Sequence, residues 1–267
     1  MAARLFLIDS FGFIFRAYHA RARSNAPPMR THRGFSTEAV YIFHNMVRKL
    51  LKTQHPEYIA AVFESMGPTF RDEKFTEYKA NRTETPADLL EQIPYVRKVV
   101  AALNIPILEY DNFEADDVIG TLARQAESKG MEVVIVSSDK DMLQLVSDRI
   151  VMLNPMKDDK VYDVAATEEY MGVKPWQVAD LLALKGDAVD NIPGAPGIGD
   201  KGARDLIQKF GSVEEALRRA DEVERKMYRE SLQNNRDRIR LSLELATIHT
   251  SVPLDVELES LKSREPS

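Results

Sequence analysis

No cysteine occurs among the 267 residues. Its absence excludes a disulfide scaffold, a thiolate zinc ribbon, iron–sulfur ligation and a cysteine nucleophile. Histidine is nearly as scarce, and the five present (His19, His32, His44, His55 and His249) follow no metal-ligand spacing. Glycine and proline, 12 and 13 in number, are too thinly spread for a low-complexity chain. No repeat of about 20–50 residues is visible. The first apolar run, Leu5-Phe6-Leu7-Ile8, is far too short for a bilayer span or a signal core. A cytoplasmic, monomeric chain without membrane contact is expected. The 42 acidic residues outnumber 36 basic ones, and a net charge of −6 on its face argues against a nucleic-acid binder. Net charge hides where the charges sit.

Short apolar runs alternate with amphipathic stretches. Strands are expected at 5–8, 58–63, 107–108, 133–136 and 150–153. Helices are expected at 11–21, from Ser36-Thr37-Glu38 to about Leu51, and at 89–103, 116–129 and 140–146. This rhythm predicts an α/β fold whose mostly parallel central sheet is flanked by helices. From Pro175 onward the pattern is all helical, and the polar stretch 156–160 reads as the break before it. Two units follow, a core over 1–173 and a helical subdomain over 174–267. One interval, 67–88, is charged and aromatic with few aliphatics, so it builds little core and reads as a mobile insertion or a partner surface.

The acids fall at equivalent points of this pattern. Asp9 and Glu64 follow the first two strands, Asp139 and Asp141 follow 133–136, and Glu114, Asp116 and Asp117 open a helix. In an open parallel sheet the carboxyl ends of the strands share one edge, where ligand sites collect. Each acid alone has an ordinary explanation as a helix cap or a dipole partner. The grouping does not, since one cap serves each helix and crowded like charges need cations. With no thiolate and no clustered imidazole, the cation suited to an all-oxygen site is Mg²⁺ or Mn²⁺. Two such ions suit phosphodiester hydrolysis.

Gly197-Ile198-Gly199-Asp200-Lys201-Gly202 matches a dinucleotide-binding pattern, but the preceding Asn191-Ile192-Pro193-Gly194-Ala195-Pro196 is no strand. A helix–hairpin–helix fits better, with helices at 178–184 and 203–210, and backbone N–H groups free to hold a phosphate. Residues 10–37 carry Arg16, Arg21, Arg23, Arg30 and Arg33 and no acid, interleaved with Phe13, Phe15 and Tyr18, which suits phosphate tracking.

These segments together resemble a known family. Phe15-Arg16-Ala17-Tyr18-His19-Ala20, Gly67-Pro68-Thr69-Phe70-Arg71, Tyr78-Lys79-Ala80-Asn81-Arg82, Glu114-Ala115-Asp116-Asp117-Val118-Ile119-Gly120, Asp139-Lys140-Asp141 and Gly186-Asp187-Ala188-Val189-Asp190-Asn191-Ile192-Pro193-Gly194 are similar to the 5′-nuclease (5′→3′ exonuclease) domains of bacterial DNA polymerase I, in the flap endonuclease family. The resemblance implies a PIN-like nuclease core with a helix-three-turn-helix subdomain. It implies two Mg²⁺ ions, replaceable by Mn²⁺, on Asp9, Glu64, Glu114 and Asp116 and on Asp117, Asp139, Asp141, Asp187 and Asp190. It makes 67–88 a helical arch, with Lys79 and Arg82 at the scissile phosphate and Tyr78 stacked on a base. Arg16, His19, Arg71, Lys140, Gly194, Gly197, Gly199 and Lys201 become DNA contacts, with K⁺ possible at the hairpin. The implied activity is cleavage of DNA at a 5′ flap or nick, in primer removal and repair, with or without a linked polymerase. Two positions depart from the pattern: Glu64 stands where the family usually has Asp, and Ser138 where it has Gly. A non-catalytic junction-binding protein, its metal site weakened at Glu64, is the alternative. A metal-dependent phosphatase using Asp9 and Asp139 would not explain the hairpin or residues 78–82. With the nine acids set aside, the net −6 becomes +3 for the rest of the chain.

Overall fold

The computed structural model describes residues 2–22 and 27–266. Arg23 lies outside the described residues, as does the side chain of Arg21. The chain begins with β1 (Arg4–Asp9) and α1 (Ser10–Ala22), then α2 (Glu38–Gln54), β2 (Tyr58–Val62), α3 (Phe70–Lys74), α4 (Ala87–Leu90), α5 (Ile93–Ala102) and β3 (Ile107–Leu108). It continues with α6 (Ala115–Ser128), β4 (Glu132–Val136), a 3₁₀ turn over Lys140–Leu145, β5 (Ile150–Asn154), β6 (Lys160–Tyr162) and α7 (Val164–Met171). Beyond lie α8 (Val178–Lys185), α9 (Asp200–Phe210), α10 (Val213–Arg218), α11 (Lys226–Asn234) and α12 (Arg236–Ala246).

The six strands lie in the order β3-β2-β1-β4-β5-β6, all parallel except β6. β1 shows why an uninterrupted apolar run makes a central strand: Leu5 and Leu7 pack on one face, Phe6 and Ile8 on the other. The second face is closed by α1, α2 and α5 through Ile14, Phe43, Val47 and Val96. The first face is closed by α6, and its core continues without interruption into the helical part through Leu181, Leu184, Ile207 and Phe210. Each such side chain contributes about 1.5–3 kcal/mol when fully buried. After α12, the residues following Ala246 return over α6, where Val252 N–H donates to Thr121 Oγ1 at 3.1 Å, and reach the start of β2, where Ser263 N–H donates to the Glu57 carbonyl at 2.8 Å. Among the described residues, no helix is long and apolar enough to cross a membrane.

Three local expectations change. Residues 140–145 form a 3₁₀ turn rather than an α-helix. The helix expected over 89–103 divides into α4 and α5. The stretch 156–160 is not a break between units. It turns β5 into the antiparallel β6, with Asp158 and Asp159 both at positive φ. The start of α2 is capped from a distance, since Thr37 makes no side-chain cap hydrogen bond. The buried Gln92 supplies that cap from across the fold, accepting from Ala39 N–H at 2.9 Å.

Candidate functional site

The strand order reverses direction at β1, which pairs with β2 on one side and β4 on the other. That switch point is where parallel sheets open a crevice at their carboxyl ends. Asp9 ends β1 there. Its Oδ1 accepts from Gly12 N–H at 3.1 Å and its Oδ2 from Ser137 Oγ at 2.8 Å. A Cβ on Gly12 would stand 2.3 Å from Asp9 Oδ2, so a side chain there would displace the carboxylate. Glu64, two residues beyond β2, accepts from Ala115 N–H at 3.1 Å at the start of α6. Asp139 follows β4 and accepts from Asp141 N–H at 3.0 Å.

The electrostatics tie these acids together. Burial, then the charge of Glu114, pushes Glu64 up to about 7. Asp116 is held well above its ordinary range by burial and then by Asp139, Asp9, Glu114 and Glu64. Asp9 is raised by burial and by Asp139, against its bond from Ser137. Asp141 is pushed up to about 7 by burial and Asp139, and its Oδ1 is buried without a hydrogen-bond partner. A hard divalent cation answers this donor set, since it needs oxygen ligands and relieves their repulsion. Among the described residues, however, no three acids or histidines are drawn together in ligating geometry. Most of the acids are instead engaged by protein partners.

Those partners are chiefly cationic. Lys79 Nζ sits 2.7 Å from Glu114 Oε1. Burial works against ionisation of Glu114, but Lys79 and Arg71 outweigh it and lower its pKa. Lys140 Nζ lies 3.0 Å from Asp187 Oδ2, and Arg82 pairs with Asp190. Asp187 is likewise lowered, Lys140 overcoming the effect of burial.

Several expected roles do not survive this geometry. Asp117 is fully buried, and both its oxygens are engaged by Arg71 at 2.7 and 2.8 Å, with further bonds from the N–H groups of Glu114 and His249. It has no lone pair turned toward the crevice and is a structural anchor rather than a metal ligand. Arg71 is 2% exposed and also donates to the carbonyls of Leu245 and Thr247, so it is not on a DNA-facing surface. Tyr78, 4% exposed, belongs to the core under α6 and reaches Glu114 only at 3.4 Å, so it offers no ring for base stacking. Gly194 is buried, its N–H donated to Ser242 Oγ and its carbonyl taken by Arg238. Its φ of 67° and its approach to Gly186, where a Cβ would lie 2.5 Å from the amide nitrogen, make it a packing glycine rather than a phosphate donor. His19 packs on Phe15 at 4.3 Å between ring centroids, with Nε2 buried and unpartnered.

Other expected residues remain on the surface. Arg16 is exposed within electrostatic reach of Asp9. Gly197 and Gly199 are exposed just before α9, and the Lys201 side chain is 92% exposed at its first turn. Three contributors were not anticipated. Ser137 Oγ bridges Asp9 to the Asp139 N–H, Arg238 holds the Pro193 and Gly194 carbonyls, and Asn81 reaches the Ala188 carbonyl. Only Ser137 had a signal, its place between β4 and Asp139. Ser138, beside it, buries its Oγ without a partner.

Comparison with known proteins matches this layout along the chain. A family model described as the 5′-3′ exonuclease N-terminal resolvase-like domain matches residues 4–172, and one described as the 5′-3′ exonuclease C-terminal SAM fold matches 173–267. The 5′-3′ exonuclease of Aquifex aeolicus is 36% identical over 98% of this chain and 87% of its own length. DNA polymerase I of Rhizobium leguminosarum is 43% identical over 96% of this chain but only 26% of its own length. The chain thus spans about a quarter of that relative. Among solved structures, zinc-bound T5 5′-exonuclease has a TM-score of 0.75 at 22% identity, covering 92% of this chain and 90% of that one. The catalytic core of Rad2 with a DNA substrate has a TM-score of 0.61 at 15% identity, covering 99% and 84%. At these identities the two structures show a shared fold.

Proposed function

Because this chain belongs to the 5′-3′ exonuclease family, we propose that it is a Mg²⁺-dependent structure-specific nuclease that hydrolyses DNA phosphodiesters near a 5′ flap or nick, as in primer removal and repair. The observation that carries this reading is the convergence of acids that follow β1, β2 and β4 or open α6 at one sheet edge, where Asp9, Glu64, Asp116 and Asp141 are raised by burial and neighbouring acids and Glu114 is countered by Lys79 and Arg71. Asp9, Glu64, Glu114 and Asp116 would hold one ion, and Asp139, Asp141, Asp187 and Asp190 the other, with Mn²⁺ able to replace Mg²⁺. Such ions supply Lewis-acid polarisation of the phosphate and a more acidic water.

The chain's own residues do the rest. Lys79 and Arg82, now bound to Glu114 and Asp190, are cations that can transfer to a phosphate entering the same crevice. Segment 67–88, anchored from below by the buried Arg71 and Tyr78, would guide the 5′ strand past them. The exposed Gly197 and Gly199 before α9, with Lys201 in its first turn, would grip the duplex backbone without reading bases, K⁺ being a further expected occupant there. Arg16 would meet the strand near Asp9.

Incubation with 5′-flap, nicked and blunt DNA, with Mg²⁺, Mn²⁺ or a chelator, tests the proposal. Divalent-dependent cleavage at the junction is expected. Tight flap binding with no cleavage in either metal would overturn it in favour of the non-catalytic alternative.

A further inference from the structure

Segment 77–82 is fastened to the loop 187–191 by crossed hydrogen bonds. Asn191 Nδ2 donates to the Glu77 carbonyl at 2.6 Å, and Asn81 Nδ2 donates to the Ala188 carbonyl at 2.6 Å. Between these two, Lys79 N–H donates to the Asp190 carbonyl at 3.0 Å, and Arg82 pairs with the Asp190 carboxylate. The fastening joins the two segments that match separate family models.

What it holds is an unfavourable backbone. Lys79 has a φ of 54°, a left-handed conformation that a lysine rarely adopts. Such a conformation persists only where its surroundings over-determine it, and it recurs at functional sites. Here it turns the Lys79 ammonium to within 2.7 Å of Glu114 Oε1. Asn191 is itself left-handed, at a φ of 57°, which suits an asparagine. Neither asparagine amide is directed at the acids, since both are used on backbone carbonyls of the opposite segment.

The geometry points to Asn81 and Asn191 as positioning residues that clamp the 77–82 turn to the 187–191 loop and thereby fix the Lys79 ammonium over the carboxylate edge. Both side-chain bonds are exposed and individually weak, so the clamp works through their pairing across the turn. The kinetic part of this inference rests on the nuclease reading; the structural part does not.

The test compares wild type with Asn81→Ala, Asn191→Gly, Lys79→Ala and the Lys79→Ala/Asn191→Gly pair. Glycine at 191 removes the amide while keeping the left-handed backbone accessible. In metal-free protein, hydrogen exchange at the Lys79 amide should speed up about tenfold in either asparagine variant, with β1 and β4 unaffected. Unchanged exchange overturns the clamp, whether or not the protein cleaves DNA. In single-turnover cleavage of 5′-flap DNA, either variant should lose about tenfold or more in rate with affinity little changed. On the Lys79→Ala background, Asn191→Gly should add no further loss. A full additive loss there overturns action through Lys79. A wild type that never cleaves counts against the nuclease reading and leaves the exchange measurement to decide the clamp.

Discussion

The carboxylate edge and the hairpin before α9 lie in one chain but are built on opposite terms. At the edge, side chains are kept where they repel one another: Asp116 alone feels four neighbouring acids and is driven far from its ordinary titration range. At the hairpin, buried polar groups are satisfied, with Gly194 bonded at both its N–H and carbonyl, and the exposed part is backbone and Lys201, whose only ion-pair partner among the described residues is the exposed Asp205 at 3.4 Å. The edge stores electrostatic tension that a cation would release. The hairpin needs only its shape. Changes at the edge should therefore alter chemistry and raise metal-free stability, while changes at the hairpin should alter affinity.

The largest expected effect is at Asp116. Asp116→Asn should lower the cleavage rate by roughly 1000-fold, with flap affinity little changed. It should also raise the metal-free melting temperature at pH 8, because one of five crowded charges is gone. Paired single-turnover kinetics and thermal melts check this; a fall in melting temperature would contradict the tension described above.

A smaller effect belongs to Lys201. Lys201→Ala should weaken duplex binding about threefold to tenfold and reduce the salt slope of log affinity by about one, with the cleavage rate at saturation unchanged. Binding titrations at several salt concentrations measure it. A rate effect at saturation would erase the contrast between the two regions.

The subtlest is pH dependence. Glu64 and Asp141 titrate near 7 in the folded chain, against ordinary values of 4.5 and 3.8. Within that interval the folded chain retains protons that the unfolded chain has released, so metal-free stability falls as pH rises toward 7. Glu114 and Asp187, lowered rather than raised, act in the opposite sense only below their ordinary values. The melting temperature should drop by several degrees from pH 5 to 7.5, and Mg²⁺ should restore more of it at the higher pH, since its ligands must be ionised. A flat profile without metal would remove the basis for the tension.

The residues that could be placed from sequence share one property: their role follows from their own strand or helix. Asp9 ends an apolar run whose two faces are both buried, so its location at the sheet edge follows from the run itself. Glu114 and Asp116 open α6 and are carried to the same edge by the parallel connection. For Arg71, Tyr78 and Asp117 the family resemblance implies roles at the DNA surface or on a metal, which the fold does not give them. Their burial depends on one another and on carbonyls at Leu245 and Thr247, more than 170 positions beyond Arg71. No local periodicity reports such a partner. Gly194 failed for the same reason, its N–H being claimed by Ser242 in α12.

Sequence alone therefore determined the alternation of strands and helices, the all-oxygen character of the candidate site and the absence of soft metal ligands, because these depend on residue type and on periods of a few residues. Tertiary structure alone decided which acids are engaged by neighbours, that Arg16 is exposed while Arg71 is a buried anchor, and that Lys79 is bonded to both Asp190 and Glu114. Those outcomes depend on desolvation and on hydrogen-bond partners distant in the chain, and both are properties of the packed molecule.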